Sequence, residues 1–222
     1  RGRVQAVEGR ARTGPALLAA AESAALSSKL GDGIYGNIDE AISAARRAFF
    51  VYRDMGLEKR RVIVDAMRSA MLADGERLAY LAREETGLGR AEDKILKNRL
   101  VTVRTPGPED LDPQAVTGDS GMMVTEFAPY GVIGSISPTT NPTSTVINNS
   151  IAIISAGNAV TFNVHPSAKD VSVENIQVLN RAIISAGGPP DLITAIAEPT
   201  LESAKRLMAH PDVPVLLVTG GP

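Results

Sequence analysis

Residues 132–164 read VIGSISPTTNPTSTVINNSIAIISAGNAVTFNV. The stretch opens on a short β-type run, 132–136, and passes through a polar loop holding Pro138 and Pro142. It continues as an apolar helical segment over 142–156, which Gly157 ends, and returns to a second β-type run at 159–164. Runs of the same kind recur at 192–196 and 213–218, with helical segments between them at 171–186 and 201–209. Strand and helix in alternation call for a parallel sheet with crossover helices. Strands that are apolar almost throughout, rather than at every second residue, must be covered on both faces. The fold class is therefore α/β, a Rossmann-like parallel sheet with flanking helices.

Working outward, Thr200 is placed to cap the last helix, Glu202 lies in its first turn, and Lys205 and Arg206 lie nearer its end, the order the helix dipole favours. His210-Pro211 closes it. Upstream, 122–127 reads as a strand and Pro129-Tyr130-Gly131 as a turn. Pro106, Pro108 and Pro113 make 105–120 an exposed connection, so 105–131 forms a connection and hairpin excursion. The N-terminal helices occupy 35–104. Asn37 is an N-cap, followed by the stripe Ile38, Ala41, Ile42, Ala45, Phe49 and Tyr52. Gly56 ends this helix, a second starts near Glu58, and Gly75 separates it from a third that runs to Thr86 before Gly87 and Gly89. The domain spans 35–222, behind an Ala-rich, partly helical leader over 1–34.

Composition narrows the function. A net charge of −2 provides no field for nucleic acid or anionic lipid, and 4% aromatic residues leave little for base stacking. There is no cysteine, which excludes disulfides, thiolate metal sites and a cysteine nucleophile within these residues. His165 and His210 are too few for a histidine-rich metal site, and no metal is expected. No apolar run is long enough for a membrane span. Glu22 interrupts the apolar leader segment, against a signal peptide, and the chain reads as cytoplasmic. It starts without an initiator methionine and stops at Gly220-Gly221-Pro222, where a loop should lead into a helix; it reads as a fragment.

In such a sheet ligands bind beyond the carboxyl ends of the strands. Three strand ends carry suggestive residues. Ser137-Pro138-Thr139-Thr140-Asn141 follows the first strand and opens a helix. Asn141 reads either as a helix cap or as an amide that donates to a developing oxyanion, and the two roles are compatible. Asn163-Val164-His165-Pro166-Ser167-Ala168-Lys169 reads as a rigid surface turn or as a site for an adenosine ribose. Thr219-Gly220-Gly221 lets backbone approach a pyrophosphate, although a Gly-Gly pair is common in tight turns. No G-x-G-x-x-G occurs.

The order of these motifs is more specific than any one of them. Glu126-Phe127-Ala128-Pro129-Tyr130-Gly131-Val132-Ile133-Gly134 precedes Thr139-Thr140-Asn141-Pro142-Thr143. Asn148-Asn149-Ser150-Ile151, Ser155-Ala156-Gly157-Asn158-Ala159-Val160, the His165 motif, Gly187-Gly188-Pro189-Pro190-Asp191-Leu192 and Thr219-Gly220-Gly221-Pro222 follow in turn. The series resembles the aldehyde dehydrogenase superfamily, and within it the CoA-acylating aldehyde dehydrogenases of the propionaldehyde/acetaldehyde type, some of which work inside bacterial microcompartments. The resemblance runs from about residue 35 to the end.

It implies an aldehyde dehydrogenase type fold truncated before the catalytic domain. It implies a reaction in which a cysteine thiolate attacks an aldehyde, hydride passes to NAD⁺, and CoA takes the acyl group from the resulting thioester. Asn141 matches the oxyanion asparagine, Ser137, Pro138, Thr139 and Thr140 the loop near the nicotinamide, and His165, Pro166 and Ser167 the adenosine-side motif. Gly188 and Pro189 match a turn flanking the adenine, and Thr219, Gly220 and Gly221 the pyrophosphate loop. Ala168 stands where the wider superfamily usually has a glutamate, as in the CoA-acylating branch. The implied cofactors are NAD and, as co-substrate, coenzyme A. The implied partners are a small aldehyde, further copies of the full-length chain and, for microcompartment members, the shell. A stand-alone nucleotide-binding module, a microcompartment structural component recruited through residues 16–28, and a non-CoA aldehyde dehydrogenase are the alternatives.

Overall fold

A computed structural model describes residues 29–220. The leader helix expected before residue 29 and the predicted site residue Gly221 lie outside the described residues. The chain runs through β1 (Lys29–Gly31), β2 (Ile34–Tyr35), α1 (Ile38–Tyr52), α2 (Leu57–Thr86) and α3 (Ala91–Arg104). A hairpin of β3 (Gln114–Gly118) and β4 (Gly121–Thr125) follows. Then come β5 (Val132–Ile136), α4 (Pro142–Ser155), β6 (Ala159–Asn163), α5 (Lys169–Ser185), β7 (Ile193–Ile196), α6 (Leu201–Met208) and β8 (Val215–Val218).

The four strands expected from the apolar runs lie in one sheet, order β1-β2-β7-β6-β5-β8, and every pairing among β7, β6, β5 and β8 is parallel. All five residues of β6 and all four of β7 are buried. β6 and β7 are thus covered on both faces, as continuous apolar strands require, whereas three of the four residues of the edge strand β8 are exposed, against that expectation. α1 packs on β6 and β7, and its predicted stripe turns inward, with Ala41, Ile42, Ala45 and Tyr52 fully buried. Asn37 caps α1, accepting from Asp39 N at 2.8 Å. Tyr52 reaches across the core to donate to the Ile154 carbonyl at 3.0 Å.

Three features depart from expectation. Residues 29–35, expected mostly within the leader, form two strands, and β2 pairs in parallel with β7. Asn180, buried on α5, donates to the Asp32 carbonyl at 2.8 Å and the Ile193 carbonyl at 2.6 Å. That amide ties the β1–β2 turn to the sheet, a contact no local pattern signals. Gly75 does not separate two helices: α2 is continuous over 30 residues. A helical glycine costs about 1 kcal/mol against alanine, but here its carbonyl accepts from Asn98 at 2.8 Å and the space a Cβ would take faces α3. Packing outweighs the local propensity. Finally, 114–118, expected within an exposed connection, is a strand, fully exposed and paired only with β4.

Gly33 is required where it sits. Its φ is +90°, and a Cβ would lie 2.2 Å from the Ile193 carbonyl oxygen, which is backbone and cannot give way. Gly31 also has positive φ, +109°, but open space around it. Gly33→Ala should therefore destabilise the chain by about 3 kcal/mol or more. Gly31→Ala should cost only the left-handed backbone penalty of about 1–2 kcal/mol. Urea denaturation of the two variants checks the difference; equal losses would mean that the turn, not its seat on β7, sets the cost.

Candidate functional site

Because β5, β6 and β8 run in parallel, the residues that leave them emerge side by side. Ile136 is in register with Asn163 and with Val218. Beyond that line Thr219 N donates to the Ile136 carbonyl at 3.0 Å, and Ser137 N donates to the Asn163 carbonyl at 3.4 Å. Gly220, at φ +114°, lies against Pro138: a Cβ there would meet the proline Cβ at 3.2 Å. The sheet thus brings together Ser137, Pro138, Thr219 and Gly220 at one edge. The Ser137 hydroxyl is buried and finds no hydrogen-bond partner among the described residues.

His165 follows β6. Its Nδ1 accepts from Ser167 N at 3.1 Å, which fixes the ring over the short 3₁₀ turn Pro166–Ala168. Lys169 opens α5 and bonds both Glu198 carboxylate oxygens, at 2.7 and 2.6 Å. That contact raises the lysine's pKa. Glu198 comes just after β7, so the ends of β6 and β7 share this exposed ion pair. Gly188 and Pro189 are not at this edge. They form the turn between α5 and β7, before β7 begins, and a Cβ at Gly188 would clash with Ile183 at 2.5 Å and crowd Ile63 at 3.1 Å. A turn that enters a strand of a parallel sheet lies at the edge opposite the strand ends, so this pair is separated from the other candidates.

Asn141 occupies the N-cap position of α4, yet its side chain makes no capping hydrogen bond. Its Oδ1 accepts from Lys97 Nζ at 3.0 Å, and its Nδ2 makes a long contact, 3.4 Å, to the Thr140 hydroxyl. One helical turn earlier on α3, Lys94 donates to the Thr140 carbonyl at 3.0 Å. Lys94 is 4% exposed. Its pKa is lowered, first by burial and then by Lys97 and Arg83. Between α3 and the start of α4 lies a cleft of about 300 Å³, bordered by Lys97, Leu100, Asn141, Thr145, Asn148 and Thr219 among others. Its wall is braced by amides and hydroxyls: Thr105 donates to Asn148 at 2.8 Å, Thr143 donates to Asn98 at 2.8 Å, and Asn149 donates to Ser135 at 3.1 Å. No cluster of metal-binding side chains occurs among the described residues.

The aldehyde dehydrogenase family model matches residues 25–222. The chain belongs to the aldehyde dehydrogenase family. It is 45% identical over 192 residues to a propanal dehydrogenase (CoA-propanoylating) of Salmonella typhimurium, a match covering 86% of this chain and 41% of that protein. Among solved structures, it resembles a propionaldehyde dehydrogenase from the fucose utilisation bacterial microcompartment of Clostridium phytofermentans. There the TM-score is 0.83 at 42% identity, over 86% of this chain and 44% of that one. A propionaldehyde dehydrogenase of Rhodopseudomonas palustris, solved with bound CoA and an acylated cysteine, superposes with TM-score 0.84 at 40% identity over 87% and 44% of the two chains. The chain thus spans about two fifths of the length of the relatives it matches.

Within this aldehyde dehydrogenase fold, sequence reasoning missed Lys94, Lys97 and Glu198. The first two share a helix face at i,i+3 spacing, but nothing local says that this face meets the loop after β5. That depends on how α3 crosses α2, which Asn98 sets. Asn98 is 1% exposed and bonds both Gly75 and Thr143. Asn98→Leu should leave the Thr143 hydroxyl without a partner and cost about 2–3 kcal/mol. A chemical denaturation midpoint unchanged from the parent would show that α3 is held by other contacts.

Proposed function

We propose that this chain is the cofactor-binding part of a CoA-acylating aldehyde dehydrogenase, which converts a short aldehyde, NAD⁺ and CoA to acyl-CoA, NADH and a proton. The observation that carries the reading is Asn141: it stands at a helix start without capping it, and its amide borders the cleft at the strand ends. The CoA-propanoylating relative and the CoA-bound neighbour support the acylating branch.

The residues suit a dinucleotide. Ser137 offers a buried hydroxyl with no partner among the described residues, and Gly220 keeps the backbone close to Pro138 where a side chain would crowd it. Ser137, Pro138, Thr139 and Thr140 would border the nicotinamide half, Thr219, Gly220 and Gly221 the pyrophosphate, and His165, Pro166 and Ser167 the adenosine ribose. NAD⁺, when bound, supplies the hydride acceptor. Asn141 Nδ2–H donates to the aldehyde oxygen as a cysteine thiolate of the full-length enzyme adds to the carbonyl carbon, and so stabilises charge that is larger in the transition state than in the substrate. Hydride loss from that adduct leaves a thioester, and the CoA thiol takes the acyl group while the cysteine thiol is regenerated. These residues carry no such thiol.

The β3–β4 hairpin exposes Val116, Met122, Met123 and nearby Phe127, and it would pack on another copy in a homo-oligomer. Among the described residues no helix is long and apolar enough to cross a membrane. The relatives fit a cytoplasmic location or the interior of a bacterial microcompartment.

In the full-length enzyme, Asn141→Ala should lower kcat ~10²–10³-fold with little change in NAD⁺ affinity. Asn141→Asp should be at least as damaging, since a carboxylate repels the oxyanion although it caps helices about as well as asparagine. Near-normal turnover of the Asp variant would reduce Asn141 to a helix-start residue. The isolated chain, given aldehyde, NAD⁺ and CoA, should stay at background in NADH production; turnover by a pure preparation would refute the thiol mechanism.

A further inference from the structure

Lys94 and Lys97 project from one turn of α3 onto two successive residues of the loop after β5. Lys94 holds the Thr140 carbonyl and Lys97 holds the Asn141 side-chain oxygen, each at 3.0 Å. Neither lysine forms an ion pair with a carboxylate among the described residues. Lys94 is buried, and burying a lysine without an acid is unfavourable unless its protons are used; Lys97 is exposed and reaches the same loop from the border of the cleft.

The consequence for Asn141 follows from donor and acceptor chemistry. A primary amide can sit in either of two orientations that differ by exchange of its oxygen and nitrogen. An ammonium group only donates. With Lys97 beside it, Asn141 must present Oδ1 to the lysine, which leaves Nδ2 turned the other way, toward Thr140. No backbone N–H of α4 competes for Oδ1, since the side chain makes no cap. Without Lys97, the side chain in this open cleft has no strong partner to select its orientation, and the reversed state, about half of the population, would offer an oxygen where a donor is needed. A cation on Oδ1 also polarises the amide and makes its N–H a stronger donor.

We propose that Lys97 is a positioning residue for Asn141: by donating to Oδ1 it locks the amide with Nδ2–H facing the reacting oxygen, while Lys94 pins the backbone beneath it. The inference rests on the assignment of Asn141 as oxyanion donor and is testable apart from it. The full-length enzyme is compared with Lys97→Met, Lys97→Arg, Asn141→Ala and the Lys97→Met/Asn141→Ala double variant. For each, kcat, KM for the aldehyde, NAD⁺ affinity by titration and the thermal midpoint are measured.

Lys97→Met should lower kcat by roughly 10- to 100-fold, the worth of one charge-assisted hydrogen bond, with NAD⁺ affinity and thermal midpoint near the parent values. Lys97→Arg, which still donates and cannot accept, should recover most of that loss. In the Asn141→Ala background, Lys97→Met should have no further effect, because the group it orients is gone. An unchanged kcat for Lys97→Met beside a strong Asn141→Ala defect would overturn the positioning role alone, as would an equal loss in both backgrounds. An unchanged kcat for Asn141→Ala would overturn the oxyanion assignment and the positioning role with it. If Lys97→Met lowers the thermal midpoint, Lys97→Gln decides: its amide can orient as a donor to Oδ1, so a stable Gln variant with no recovery over Met counts against the proposal.

Discussion

The dry parallel sheet is the constraint from which the rest follows. β6 and β7 have no solvent on either face, and β2, β7, β6, β5 and β8 run in one direction, so each of these five is entered from one edge and left at the other. The loops that leave the parallel strands therefore emerge along one edge, and Ser137, His165 and Thr219 follow the ends of β5, β6 and β8 there. Where the regular ladder stops, buried side-chain amides take over. Asn158 accepts from Tyr130 N and Gly131 N at 2.6 and 3.0 Å, at the entry to β5. Asn180 holds β7 to the β1–β2 turn, and Asn175 donates to the Thr143 carbonyl at 3.1 Å near the start of α4. Each satisfies backbone groups that would be costly to leave unpaired in a low-dielectric interior.

A second line of dependence leads from a glycine to the cleft. At Gly75 the backbone of α2 meets α3, its carbonyl accepting from Asn98, whose Cβ a side chain there would touch at an ordinary 3.6 Å. Asn98 in turn fixes Thr143 in the first turn of α4. The distance between α3 and α4 is thereby set, and with it the reach of Lys94 and Lys97 to the loop. Arg68 closes the far end of α3, donating to the Thr102 and Thr105 carbonyls at 2.5 and 2.8 Å. A helix whose exposed face looks like ordinary solvated charge thus bears on the site through the buried Lys94 and Asn98 and through the exposed Lys97. Burial without an acidic partner marks Lys94 as belonging to that machinery rather than to the surface.

What the sequence determined by itself was everything governed by period and order. Continuous apolar runs at fixed spacing mean buried parallel strands. Asn37, Thr200 and Gly87 mark helix ends through local hydrogen bonding and backbone conformation, and all three lie where expected: Thr200 forms a capping box with Ser203, and Gly87 is left-handed at φ +69°. The linear series of motifs led to the family. Tertiary structure alone decided matters in which distant segments meet. Gly75 stayed helical because α3 packs on it, and 29–35 became strand because Asn180 and β7 receive it. Gly188 and Pro189, adjacent to a strand in sequence, lie at its wrong end for the site because direction in a parallel sheet separates the two edges by the full strand length. Asn141 was readable as cap or donor from its neighbours. Its orientation depends on a lysine 44 residues away, and no local pattern encodes a contact between two helices that chain order leaves unpaired.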